Sequence, residues 1–191
     1  MNVSLELLIE NAKSGKLVSF PTDTVPALAT IPTQAELIYH AKQRSLDKPL
    51  ILMAGKAEDI WDYVKGSDSE YQIWQDVINK YWPGALTLVL PASEKVPQIM
   101  NPNDPTTIGV RVPNHQVAQT ILLQTGPMAT TSANLSGEPT LEDREAIERQ
   151  FSDVITLASI DYRGLGIPST VAKWTGNSWQ ILRQGAIIIN S

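Results

Sequence analysis

The sequence predicts an α/β fold on a mixed sheet, and three observations carry that expectation. Short apolar runs of strand length alternate with amphipathic helical stretches along most of the chain. Beside these helical crossovers stands a hairpin signal, Trp174-Thr175-Gly176-Asn177-Ser178-Trp179, so antiparallel pairs accompany parallel ones. The 191 residues are 42% hydrophobic and no Pro/Gly/Ser-rich or charge-rich break divides them, which predicts one well-buried domain over 1–191.

In order, residues 4–14 read as an amphipathic helix with Leu5, Leu7, Leu8 and Ile9 in its apolar set and Gly15 past its end. Residues 17–20 read as a strand that runs into Pro21-Thr22-Asp23-Thr24-Val25-Pro26, where two prolines bracket a polar loop. Such a loop lines a site or caps a turn. Thr33 and Glu36 form a capping-box pattern that opens a helix through Ala35, Leu37, Ile38 and Ala41. Residues 50–53 are a strand, 59–64 and 69–81 are helical, and Ser69 with Gln72 repeats the capping-box pattern. Trp82-Pro83-Gly84 stops that helix, and Trp82 is expected to pack under the strand at residues 86–90. A strand at 107–113, a helix at 115–124 and a strand at 128–131 follow. A helix over 142–151, with Thr140 at its N-cap and Asp143 three residues on, precedes strands at 154–157 and from Thr170.

Composition excludes several functions. The chain has no cysteine and only two histidines, His40 and His115, so neither disulfides nor a thiolate or histidine metal centre is expected. Any metal would arrive with a substrate. Glu6 and Glu10 interrupt the N-terminal apolar residues, no basic leader is present, and no run approaches the ~20 apolar residues of a membrane span. A cytoplasmic protein is expected. A net charge of −5 argues against a broad nucleic-acid surface and leaves room for a local basic patch.

Four groups of residues suggest chemistry. Thr130-Thr131-Ser132-Ala133-Asn134-Leu135-Ser136-Gly137 follows an apolar stretch, and on a strand Ser132, Asn134 and Ser136 would face one way toward a ligand; the alternative is a turn bonded to its own backbone. Lys42, Arg44 and Lys48 cluster where a helix ends, either complementing its macrodipole or clamping phosphate. Thr107, Gly109 and Arg111 share the strand face opposite Ile108, Val110 and Val112, so Arg111 is either solvated or an anion fork. Arg183 stands near Gly185 at the C-terminal end. P-loop, dinucleotide and G-x-S-x-G motifs are absent, and Ser132 has no evident histidine partner. Hydroxyls, amides and scattered cations suit catalysis by positioning and charge stabilisation, as in phosphoryl or nucleotidyl transfer.

Seven segments in one order resemble the successive motifs of the YrdC/TsaC family: Pro21-Thr22-Asp23-Thr24-Val25, Lys42-Gln43-Arg44 with Lys48-Pro49-Leu50, Trp82-Pro83-Gly84, Val110-Arg111-Val112-Pro113, Ser132-Ala133-Asn134-Leu135-Ser136-Gly137, Ser169-Thr170-Val171 and Leu182-Arg183-Gln184-Gly185. The resemblance implies a twisted open α/β sheet, with flanking helices, around a large concave cavity. It also implies threonylcarbamoyl-AMP synthesis, a nucleotidyl transfer in which L-threonine, bicarbonate and ATP, the last carrying Mg²⁺, give threonylcarbamoyl-AMP and pyrophosphate. The product then serves tRNA modification with downstream proteins. By this resemblance Lys42 and Arg44 hold the triphosphate and carry catalysis, with Lys48, Thr107, Ser132, Asn134, Thr140 and Arg183 also at ATP. Thr24, Arg111, Ser132 and Thr170 hold threonine, Arg111 by a bidentate grip on its carboxylate.

The chain departs from the family pattern in two places. The first motif usually continues with an aromatic residue and glycines, whereas here Val25-Pro26-Ala27-Leu28-Ala29 follows, and Met53 stands where some members carry histidine. The resemblance is to the short, single-domain form, so the longer members' additional C-terminal domain is not expected. These departures define the alternative: a module on the same fold that binds tRNA or double-stranded RNA, or regulates, without turnover.

Overall fold

The computed structural model describes residues 1–158 and 160–189; residues 190 and 191 of the expected domain lie outside them. Ten strands join in one open mixed sheet: β1 (Asn2–Val3), β2 (Val18–Phe20), β3 (Ala27–Thr30), β4 (Ile51–Met53), β5 (Leu86–Pro91), β6 (Thr107–Arg111), β7 (Met128–Ser132), β8 (Ile155–Leu157), β9 (Thr170–Trp174) and β10 (Trp179–Arg183). Their spatial order is β1-β8-β2-β3-β7-β4-β6-β5-β9-β10. The pairs β1/β8, β2/β8, β4/β6 and β5/β9 are parallel and the other five antiparallel. The expected hairpin joins β9 to β10 with Trp179 opposite Trp174, and Gly176 takes the left-handed turn at φ +99°.

Period-two patterning divides this sheet into two faces. Leu86, Leu88 and Leu90 of β5, Ile108 and Val110 of β6, Leu52 of β4 and Ala172 of β9 are almost fully buried in the core. Their neighbours in sequence, Thr87 and Val89, Gly109 and Arg111, Ile51 and Met53, Val171 and Lys173, line a cavity on the opposite face. Among the helices, α1 (Leu5–Lys13) and α4 (Gln116–Thr125) pack on each other, α2 (Glu36–Lys42) packs on β3, and α5 (Arg144–Gln150) packs on β8. No helix among the described residues is long and apolar enough to cross a membrane.

Three helix starts differ from the sequence expectation, at α3 and α5 because a better-placed cap competes. At α2, Pro32 opens a 3-10 turn over Pro32–Gln34, the Ala35 N–H donates to the Pro32 carbonyl, and Ala35 precedes the helix without a side-chain cap from Thr33. At α3 (Asp68–Tyr81), Ser67 rather than Ser69 is the cap, and Glu70 completes the box by accepting from the Ser67 N–H at 2.9 Å. Glu70 also accepts from Trp174 Nε1 at 2.8 Å, a second anchor that Gln72 lacks. At α5 the cap is Asp143, whose Oδ1 accepts from Ala146 N–H at 2.7 Å, and Thr140 lies outside the helix. The helical stretch expected over 59–64 is a 3-10 helix over Ala57–Tyr63. Trp82 packs as expected, its Nε1 donating to the Leu86 carbonyl at 2.7 Å.

Candidate active site

The uncovered face of the sheet encloses a cavity of about 510 Å³, within the range of small-molecule sites. Its floor is the row of alternate residues just described, and its walls are loops that leave strand ends. One wall comes from the end of α2. Gln43 adopts a left-handed conformation at φ 48° between Lys42, which is buried behind the wall, and Arg44, which lines the cavity; Lys42 and Lys48 are not among the lining residues. Arg44 is fixed by donating Nε to the Lys48 carbonyl and Nη2 to the Pro49 carbonyl, both at 2.9 Å.

Lys42 is only 1% exposed, and its ammonium donates to the carbonyl of Ser132, a cavity-lining residue. Burial, reinforced by the positive charges of Arg44 and Lys48, lowers its pKa from 10.5 to about 7. Lys48 Nζ reaches Ser136 Oγ at 3.0 Å and pins the loop that follows β7 to the same wall.

Ser132, Asn134 and Ser136 do not form one polar face. The strand ends at Ser132, and the next residues turn, Asn134 N–H donating to the Ser132 carbonyl at 3.1 Å. Asn134 folds under the turn and donates Nδ2 to the Leu135 and Glu138 carbonyls, each at 2.8 Å. Its Oδ1 is buried without a partner among the described residues. Ser132 therefore lines the cavity, Asn134 shapes the loop behind it, and Ser136 meets Lys48. Thr140 is not among the lining residues.

The opposite wall is built around Arg111, which is 4% exposed rather than solvated. Nε donates to the Gly84 carbonyl at 3.1 Å, Nη1 to Thr24 Oγ1 at 2.9 Å and Nη2 to Asp23 Oδ1 at 2.6 Å. Burial lowers the Arg111 pKa and the Asp23 carboxylate opposes that shift, so the guanidinium keeps its charge. Of its five N–H groups, these contacts leave one on each terminal nitrogen for a ligand, a narrower fork than a free guanidinium offers. Arg183 donates Nε and Nη2 to the Ser169 carbonyl at 3.0 and 2.9 Å, and Ser169 Oγ bonds Thr87 Oγ1 at 2.8 Å. Thr107 lines the cavity, accepting from Asn101 Nδ2 at 3.1 Å and donating to Asp104 Oδ2 at 3.2 Å.

Thr170 stands apart. It is fully buried and absent from the lining; its hydroxyl donates to the Ile187 carbonyl at 2.6 Å and accepts from Gly185 and Ile187 N–H. Its alternation partner Ser169 takes the cavity side. Sequence reasoning missed Ser169, Thr87 and Lys173 as wall residues, and the period-two pattern of β5 and β9 was the signal that could have found them. It also missed Asp23 as the partner of Arg111; no local pattern links residues 88 apart in sequence.

An open mixed sheet gives one face to a cavity whose lining carries Arg44, Arg183 and the carboxylate-braced Arg111, the architecture of a small-molecule site with groups suited to anions. The chain belongs to the Sua5/YciO/YrdC family, described as "Telomere recombination", which matches residues 10–185. It is 33% identical over 180 residues to a threonylcarbamoyl-AMP synthase of Pyrococcus abyssi, covering 92% of this chain and 52% of that protein. With a threonylcarbamoyl-AMP synthase of Vibrio campbellii it shares 31% identity over 188 residues, covering 95% of this chain and 99% of that protein. The crystal structure of P. abyssi Sua5 complexed with L-threonine superposes with a TM-score of 0.83 at 30% identity, over 95% of this chain and 54% of that one. The chain thus spans about half the length of the Pyrococcus protein and nearly all of the Vibrio one.

Proposed function

We propose that the chain is a threonylcarbamoyl-AMP synthase, a nucleotidyltransferase that converts L-threonine, bicarbonate and ATP to threonylcarbamoyl-AMP and pyrophosphate. One observation carries the reading: a single cavity brings the Arg44 and Ser132 wall, backed by Lys42, together with the Arg111–Thr24 wall, in a chain similar to named synthases along almost its whole length. Arg44, Lys42 and Lys48 would receive the triphosphate, with Ser132, Thr107 and Arg183 around the nucleotide. Asn134 would act through the loop it shapes. The two remaining N–H groups of Arg111 would hold the threonine carboxylate, leaving the amine free to capture carbon dioxide as a carbamate.

The carbamate oxygen then attacks the α-phosphorus, the bond to the pyrophosphate oxygen breaks, and the pyrophosphate leaves toward the Lys42/Arg44 wall, whose charge balances the developing anion. No covalent enzyme intermediate is required. Among the described residues no three His, Asp or Glu side chains converge as metal ligands, and Mg²⁺ would enter on the phosphate oxygens of ATP. The product would pass to downstream tRNA-modification proteins in the cytoplasm.

The test is pyrophosphate release by purified protein with ATP and Mg²⁺, omitting threonine or bicarbonate in turn, with mass spectrometry of the adduct. Release that requires both, with threonylcarbamoyl-AMP present, is the expected result. A folded, ATP-binding preparation that makes no adduct overturns it and turns attention to RNA binding.

A further inference from the structure

Residues 163–170 cross the outside of the Pro21–Val25 loop as a strap. Leu165 N–H donates to the Asp23 carbonyl at 3.1 Å and Gly166 N–H to the Thr24 carbonyl at 2.9 Å. Gly164 lies closer still: a Cβ there would stand 2.5 Å from the Thr24 oxygen and 2.7 Å from the Thr22 oxygen. The strap is anchored at both ends. On one side the Tyr162 hydroxyl donates to the Ser19 carbonyl at 2.8 Å and accepts from Leu157 N–H at 2.7 Å. On the other, the Thr170 hydroxyl binds the backbone of Gly185 and Ile187.

The loop under the strap is the one that holds Arg111. Asp23 and Thr24 offer their carbonyl groups to the strap and their side chains to the guanidinium. Thr22 stiffens the interval, its hydroxyl donating to the Val25 carbonyl at 2.7 Å and accepting from Thr24 N–H at 3.2 Å. Any displacement of the carbonyl row therefore moves both side chains that orient Arg111.

We propose that Gly164-Leu165-Gly166 is a positioning element for Arg111: by seating the Thr22–Thr24 backbone it sets where the guanidinium stands, and with it the affinity of the cavity for a carboxylate ligand. The identity of that ligand as L-threonine rests on the function proposed above. Gly164 is the critical residue because its own backbone is not in the left-handed region, so alanine there is opposed only by the carbonyl groups it would strike. Gly166, at φ +68°, would be strained by any side chain regardless of the loop. An alanine at 164 must push the loop by roughly 0.5 Å to reach even a tight contact, and since loosening one charge-assisted hydrogen bond to a ligand weakens binding about tenfold, about a tenfold loss of affinity is expected.

The experiment compares wild type, Gly164→Ala, Leu165→Pro, which deletes the N–H given to Asp23, and Ser69→Ala as a control, since Ser69 is exposed on α3 outside its capping box. Titration calorimetry with L-threonine and separately with ATP, the melting temperature, and the NMR resonance of the Arg111 Nε–H are measured for each. Both strap variants should weaken threonine about tenfold and shift the Arg111 resonance. ATP affinity should stay within about twofold, and the control should change neither ligand; if Gly164→Ala does not fold, Leu165→Pro decides. Equal losses of threonine and ATP affinity would show a merely structural role and overturn the proposal, as would an unmoved Arg111 resonance or unchanged threonine binding. If wild type binds no threonine, the function reading fails while the Arg111 resonance still decides the strap.

Discussion

Binding of a polyphosphate at the Lys42/Arg44 wall should take up a proton, and the amount follows from burial. Lys42 is buried beside the cations Arg44 and Lys48, with its ammonium on the Ser132 carbonyl, and burial first, then the two charges, lower its pKa to about 7. In the free protein it is then about half charged at pH 7 and about one-tenth charged at pH 8. A bound triphosphate supplies the missing countercharge and favours the ammonium. Uptake should therefore be about 0.1 proton per site at pH 6, about 0.5 at pH 7 and about 0.9 at pH 8. Lys42's share of the binding free energy should make ATP affinity about tenfold weaker at pH 8 than at pH 6.

The assay is titration calorimetry of ATP in buffers of different ionisation enthalpy, with Lys42→Met subtracting protons that belong to ATP and to other groups. Buffer-independent heats for wild type at pH 8, after that subtraction, would refute the reasoning: Lys42 would already hold its proton in the free protein. The same shift has a stability sign. Below pH 7 Lys42 is charged in both folded and unfolded chains, and the folded state bears the full cost of burying the charge. Between about pH 7 and 10.5 only the unfolded chain keeps the proton, so this group raises stability with pH by up to about 1.4 kcal/mol per unit. Bound polyphosphate should abolish that rise.

Replacing Asp23 by alanine leaves the Arg111 charge, 5% exposed at its side chain, without its partner, and should destabilise the fold by about 3–5 kcal/mol; chemical denaturation measures it, and a loss under 1 kcal/mol would mean that water reaches the guanidinium. Thr170→Val removes the hydroxyl that ties Gly185 and Ile187, at a cost of about 1–3 kcal/mol, with faster amide exchange at those two residues and little change in threonine affinity; the reverse pattern would place Thr170 at the ligand. Ser67→Ala should cost about 1 kcal/mol, whereas Ser69→Ala, outside the capping box, should stay within about 0.5.

The sheet was legible in the sequence where period-two alternation is set by burial. Ile108, Val110 and Val112 face the core, and Thr107, Gly109 and Arg111 face the cavity, because a one-residue slip would exchange those faces. Helix starts were less legible, since Ser67/Glu70 and Ser69/Gln72 satisfy the same four-residue pattern and only the tertiary bond from Trp174 to Glu70 separates them. The Ser132–Ser136 alternation misled because it presumed a strand past the point where pairing with Ala27 ends. The Lys42/Arg44/Lys48 cluster was visible, but its division into a buried lysine, a braced rim arginine and a loop-pinning lysine needed the left-handed turn at Gln43.

The departure at Pro26-Ala27-Leu28-Ala29 is absorbed by the ladder. Pro26 has no N–H, and the sheet uses only its carbonyl, which accepts from Ala133 N–H at 2.9 Å. β3 begins one residue later, with Ala27 opposite Ser132 and Leu28 fully buried in the core. Pro26 and Ala27 line the cavity with small, stiff side chains, and Met53 adds an apolar surface on the same floor. None of these residues contacts Arg44, Arg111 or Lys42 by a hydrogen bond among the described residues. The substitutions therefore change the shape and polarity of the space between two anion-binding walls while leaving the walls themselves intact, which places their effect on the neutral part of a ligand rather than on its charged ends.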